Sequence, residues 1–164
     1  FNIDGKIIKY EDASILLAFC HVDYDPEILK IVPLELAMST CDNLIMYFRT
    51  KYNDNELNLI GRYKEDKYYD GHIWIICSLA LAQYYIHYYQ TYNIICNKSP
   101  MHRSKSNPKN NFIMIANEIL ERILTLDTDF ILPEQFNPIT NEHISAKKLT
   151  WNYSELYLLI NLLI

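Results

Sequence analysis

The sequence predicts an all-α chain, and three observations carry that expectation. Only 3 of its 164 residues are glycine, whereas tightly turned strands draw on glycine and helix interiors avoid it. Apolar residues recur in several windows at the three- and four-residue spacing that places them on one face of a helix. No stretch alternates apolar and polar residues for long enough to mark a sheet.

Taken in order, the first helix is capped by Asp12 and carries Ile15, Leu16, Phe19 and Val22 on one face. It ends near Asp23-Tyr-Asp-Pro26, because proline biases the preceding residue away from helical geometry. Pro33 suits the first position of a second helix, whose apolar face is Leu34, Ala37, Met38, Cys41, Leu44, Ile45 and Phe48. Asn53-Asp-Asn55 breaks it. A third helix, about Ile73 to Tyr92, is apolar nearly all round and is expected to be enclosed by the others. Asn97 to Asn111 reads as an exposed polar loop. A fourth helix shows the stripe Phe112, Ile115, Ile119, Leu120 and Ile123, and a fifth runs from Trp151 to the end.

Composition bounds the function. With 50% hydrophobic and 21% charged residues the chain can bury one core of ordinary domain size. A net charge of -5, with Lys and Arg spread along the chain, leaves no basic footprint for nucleic acid. The run Trp74 to Tyr92 is long enough to raise the question of a membrane span. It contains Gln83, His87, Gln90 and several tyrosines, so a buried helix and no membrane partner are expected. Cys20, Cys41, Cys77 and Cys96 have no CxxC spacing, which supports no metal site and leaves buried thiols and disulfides both open. No calcium or nucleotide motif is present, so no cofactor is expected. No signal peptide is read at Phe1-Asn-Ile-Asp-Gly-Lys6, which begins as if inside a longer protein.

Two ordered stretches stand out against this background. The first is Gly61-Arg-Tyr-Lys-Glu-Asp-Lys-Tyr-Tyr-Asp-Gly71, followed by Ile73-Trp-Ile-Ile-Cys-Ser-Leu-Ala80. The second is Pro133-Glu-Gln-Phe136, followed by Ser145-Ala-Lys-Lys-Leu-Thr-Trp-Asn-Tyr153. By composition alone the second is a corner-turning loop with a solvated Glu134. In their order of residues, however, the two resemble the glucoamylase patterns GRYPEDxYxxGNPWxLxTxA and SEQ(F/Y)…SAxDLTWSY. Asp12-Ala-Ser-Ile-Leu-Leu17 and Asp23-Tyr-Asp-Pro26 are similar to that family's DASxLL…xFDP stretch. The blocks occur in the family's order and together cover most of the chain.

The resemblance implies the C-terminal part of an (α/α)6 barrel, spanning residues 1–164 as a portion of one catalytic domain. It implies release of glucose from the non-reducing ends of α-1,4 glucans (starch, glycogen or maltooligosaccharides) with inversion, and a secreted or vacuolar compartment. Glu134 matches the catalytic base. Arg62 matches an arginine that binds sugar hydroxyls, which a planar cation with several donors suits; a salt bridge to Glu65 or Asp66 is the plain alternative. Asp66 matches an acceptor of sugar hydroxyls, Glu65 a neighbour that tunes specificity, and Tyr68 and Trp74 aromatic walls of the pocket. Trp151 and Tyr153 are expected to pack beneath Glu134 without touching ligand.

Departures from the pattern are equally visible. Lys64 stands where the family has proline, which should loosen the loop and add charge near the pocket; His72-Ile73 replaces Asn-Pro, Pro133 a small polar residue and Lys148 an aspartate. The family's general acid, in a DLWEE-type motif, has no counterpart, so the N-terminal part of the barrel is expected to be missing and the chain alone to be inactive. A non-catalytic glucan-binding or regulatory module and a degenerate remnant are the alternatives.

Overall fold

In a computed structural model, residues 2–3, 6–7, 11–21, 34–98 and 109–164 are described. Val22, Asp23 to Pro26, Pro33, Cys96 and most of the polar loop after Asn97 lie outside the residues whose side chains are described. The elements are a short hairpin of β1 (Asn2–Ile3) and β2 (Lys6–Ile7), then α1 (Ser14–Cys20), α2 (Leu34–Tyr52), β3 (Ile73–Trp74) and α3 (Ile75–Lys98). They continue with α4 (Lys109–Leu124), β4 (Gln135–Phe136), β5 (His143–Ile144) and α5 (Thr150–Leu163).

The predicted helices form, with adjusted ends. The N-cap of α1 is Ala13, one residue after the expected Asp12, whose carboxylate accepts the Ser14 N–H at 2.9 Å from just outside the helix. Asn53, left-handed at φ 51°, closes α2: Asp54 N–H reaches Arg49 O at 3.0 Å and Asn53 N–H reaches Thr50 O at 3.3 Å. This pairing satisfies two of the carbonyls that a helix end leaves open. Phe48, Leu44 and Cys41 on α2 are fully buried, on the face that the spacing indicated.

Helix α3 is the centre. It packs against α1, α4 and α5, and Leu79, Ala80, Leu81 and Ala82 are all inaccessible. That enclosure explains why its sequence is apolar on every side. No described helix is long and apolar enough to cross a membrane. A buried polar joint crosses the bundle: Glu155 of α5 accepts from Gln83 of α3 at 2.8 Å and lies 3.1 Å from His21 at the end of α1. Burial pushes the Cys41 and Cys77 thiols well above the ordinary range, so both behave as core hydrophobes; these two and Cys20 are free thiols.

The structure corrects the expected start of the third helix. Ile73 and Trp74 do not open α3 but form β3, which pairs antiparallel with β4, and β4 pairs with β5, in a small three-stranded sheet. Strands of two residues carry no alternation that could announce them. Trp151 is also misplaced by the sequence reading, being 59% exposed. Its neighbours hold the loop instead: Tyr153 Oη donates to Phe130 O at 2.8 Å and accepts Leu132 N–H at 3.1 Å. Asn152 Nδ2 donates to Pro133 O at 2.7 Å in a fully buried contact.

Replacing Asn152 by Ala strands the buried Pro133 carbonyl, and should cost about 1–3 kcal/mol in urea unfolding. A variant as stable as the parent would show that this bond does not hold the loop.

Candidate functional site

Glycine geometry shapes the first motif. A Cβ on Gly61 would meet Phe48 Cζ and His72 O at 2.5 Å, so the chain passes α2 only without a side chain there. The segment then meets residues 11–13: Asp12 bridges Tyr63, Ala13 N–H donates to Arg62 O at 2.8 Å, and Lys64 pairs with Glu11. Lys64 therefore ties the loop to its neighbour, where the sequence suggested a looser one.

Arg62 and Asp66 form a bidentate pair, with Nε 3.0 Å from Oδ2 and Nη2 2.8 Å from Oδ1. The Asp66 side chain is 1% exposed against 36% for Arg62. A buried carboxylate needs such a partner. Asp66 Oδ1 also accepts the Tyr68 N–H at 3.0 Å, and Tyr63 Oη lies 3.1 Å from Arg62 Nη2. The hydrogen bond to Asp66 raises the Arg62 pKa further, keeping the guanidinium charged. Its carbon sits 4.9 Å from the Trp74 ring centre and 5.7 Å from that of Tyr68, and those two rings lie 5.8 Å apart.

Glu134 joins this group from the other motif. Ile75 N–H donates to Glu134 O at 3.2 Å, while Glu134 N–H donates to Ala146 O at 2.7 Å. Trp74 stands opposite Gln135 in the β3–β4 register. The Glu134 carboxylate accepts from Tyr68 Oη at 3.1 Å and from the Ser145 hydroxyl, and Tyr68 Oη and Ser145 Oγ are 3.0 Å apart. Both hydroxyls thus steer one carboxylate oxygen.

The structure brings Arg62, Asp66, Tyr68, Trp74 and Glu134 into one chain of contacts. Glu65, exposed and left-handed at φ 59°, makes no contact in that chain; its N–H donates to Tyr47 Oη at 3.1 Å. A cleft of about 490 Å³ opens along Asp12, Arg62, Tyr63, Glu65, Asp66, Lys67 and Tyr68. Ser145 escaped the sequence reading as a functional residue, although it opens the block Ser145 to Tyr153; its position within a motif was the signal. Trp74 Nε1, buried, has no acceptor among the described residues.

Comparison with known proteins agrees with this architecture. Residues 9–161 match Glycosyl hydrolases family 15. A solved glycoside hydrolase family 15 glucoamylase from Hypocrea jecorina superposes with a TM-score of 0.64 at 19% identity, covering 99% of this chain and 33% of that one. The Hormoconis resinae glucoamylase gives 0.61 at 18% identity, over 93% and 32% respectively. The fold is thus that of part of an (α/α)6 barrel, and the chain spans about a third of the length of either structure.

Gly71, left-handed at φ 59°, would place a Cβ 2.6 Å from Asp66 O. Gly71→Ala should therefore destabilise the chain by about 1–3 kcal/mol in denaturant titration and change the emission of Trp74. Parent-like values for both would mean that the turn has room that its geometry denies.

Proposed function

The chain belongs to glycosyl hydrolases family 15, and from that membership we propose that it is the C-terminal portion of a glucoamylase catalytic domain. The reaction is release of glucose from the non-reducing ends of α-1,4 glucans with inversion. The observation that carries this reading is the steering of the Glu134 carboxylate by Tyr68 and Ser145 beside the Arg62–Asp66 pair.

Inverting hydrolysis needs a carboxylate to take a proton from the attacking water and a carboxylic acid to protonate the departing oxygen. Glu134 serves as the base: its second oxygen is left for water, while Tyr68 and Ser145 fix the orientation of the first. The acid comes from the part of the barrel N-terminal to this chain, about 6.5–9.5 Å from the base across the sugar, which leaves room for the water. Arg62 binds sugar hydroxyls through Nη1, since Nε and Nη2 are engaged by Asp66 and Tyr63. Asp66, hidden behind Arg62 with both oxygens engaged, acts by holding that cation and not by accepting from a sugar hydroxyl; Glu65 at the rim adjusts specificity. The exposed Tyr68 ring on the cleft offers an apolar face to the pyranose, and the buried Trp74 ring backs it. Alone, the chain should hydrolyse little or nothing, because a base without its acid lacks half of the proton inventory. A secreted or vacuolar setting fits a digestive glucosidase.

The test is glucose release from maltose and soluble starch by this chain and by a form extended upstream. Activity in the extended form alone is expected. Glucan binding without activity in either form would favour a regulatory module, and activity in the short chain would place the acid within these residues. In the extended enzyme, Glu134→Gln should lower kcat by about 10²–10⁴-fold with binding retained, and near-normal turnover would remove Glu134 from the base role. Arg62→Ala should impair both KM and kcat on maltose; unchanged kinetics would sink the pocket assignment.

A further inference from the structure

We propose that Lys51, at the end of α2, is a positioning residue for this site: its ammonium clamps the turn at Asp70 and Gly71 and so sets Tyr68 against Glu134. The proposal rests on the glucan-site reading above. Lys51 lies outside both motifs and is not among the residues lining the cleft.

The turn needs a clamp. Tyr69, Asp70 and Gly71 are all left-handed, at φ 47°, 58° and 59°. Residues other than glycine visit that region singly and at a cost, so a succession of them persists only where the surroundings hold it. Successive residues of one hand turn their carbonyls to the same side, where a compact cation with three donors can take two at once. Lys51 Nζ does this, lying 2.5 Å from Asp70 O and 2.6 Å from Gly71 O. It is itself placed by the closed end of α2, and its ammonium lies 6.0 Å and 5.7 Å from the ring centres of Phe48 and Tyr52. Tyr52 adds a second tie, its Oη 2.7 Å from His72 Nδ1.

What the clamp holds is the site. Gly71 is pressed on Asp66 so closely that a Cβ would meet Asp66 O at 2.6 Å. Asp66 in turn fixes Arg62 and the Tyr68 N–H, and Tyr68 Oη reaches Glu134. Releasing Lys51 removes no ligand contact, so its effect on binding must pass through the turn.

Trp74 reports the outcome, because Tyr68 packs against it and the only other tryptophan, the exposed Trp151, can be replaced. In a Trp151→Phe background, emission and acrylamide quenching of Trp74 are compared for the parent, Lys51→Met and Lys51→Arg, with melting followed by circular dichroism and a maltotriose titration. Lys51→Met should shift the emission, increase quenching and weaken maltotriose several-fold with melting little changed; Lys51→Arg should restore all three. Unchanged emission and quenching in Lys51→Met would overturn the clamp whether or not maltotriose binds. A fall in melting temperature with parent-like Trp74 signals would also overturn it, as a purely structural lysine. Altered Trp74 signals with no maltotriose response in any variant would uphold the clamp and remove the glucan reading instead.

Discussion

The antiparallel joint between β3 and β4 is the constraint on which the site depends. Two residues on each strand set Trp74 opposite Gln135 and Ile73 opposite Phe136, and His72 N–H adds a bond of 3.0 Å to Gln135 Oε1. Strands this short have no independent stability. They persist because Ile73, Phe136 and Gln135 are wholly buried, so that parting them would open backbone groups with no water to receive them. That register carries Glu134 beside Ile75 and so within reach of Tyr68.

The helical bundle supplies the frame for this joint. One end of β3 runs directly into α3, the most enclosed helix, and the loop carrying Glu134 hangs from Asn152 and Tyr153 at the start of α5. Since α3 and α5 pack together and share the Gln83–Glu155 bond, both sides of the site are anchored on the same packed helices. Loops placed on such a scaffold can hold functional groups in geometries that they would not keep alone.

Electrostatics inside the site follow the same economy of partners. Asp66 is hidden, which is tolerable only because Arg62 meets both of its oxygens and the Tyr68 N–H supplies a third donor. The cost of burying the carboxylate is thereby converted into orientation of the guanidinium, which stays half in solvent among three aromatic rings. Left-handed residues at positions 65, 69, 70, 71 and 145 lie in the segments that carry these groups, and such backbone persists only where its surroundings hold it.

The sequence by itself determined the helices, because apolar spacing reports a period of 3.6 directly. Residue order, through its resemblance to a family pattern, also named Arg62, Glu65, Asp66, Tyr68, Trp74 and Glu134 as candidates, and the contacts among Arg62, Asp66, Tyr68 and Trp74 join near neighbours along one motif. Tertiary structure alone decided the rest. Tyr68 and Glu134 are 66 positions apart and Tyr68 and Ser145 are 77 apart, and no local pattern encodes a pair so distant. The same holds for Lys51 and the turn it clamps, for Glu11 and Lys64, and for the exposure of Trp151 while Asn152 and Tyr153 hold the loop. A sheet of two-residue strands is too short to show a period, so its register is set by which side chains the core can bury.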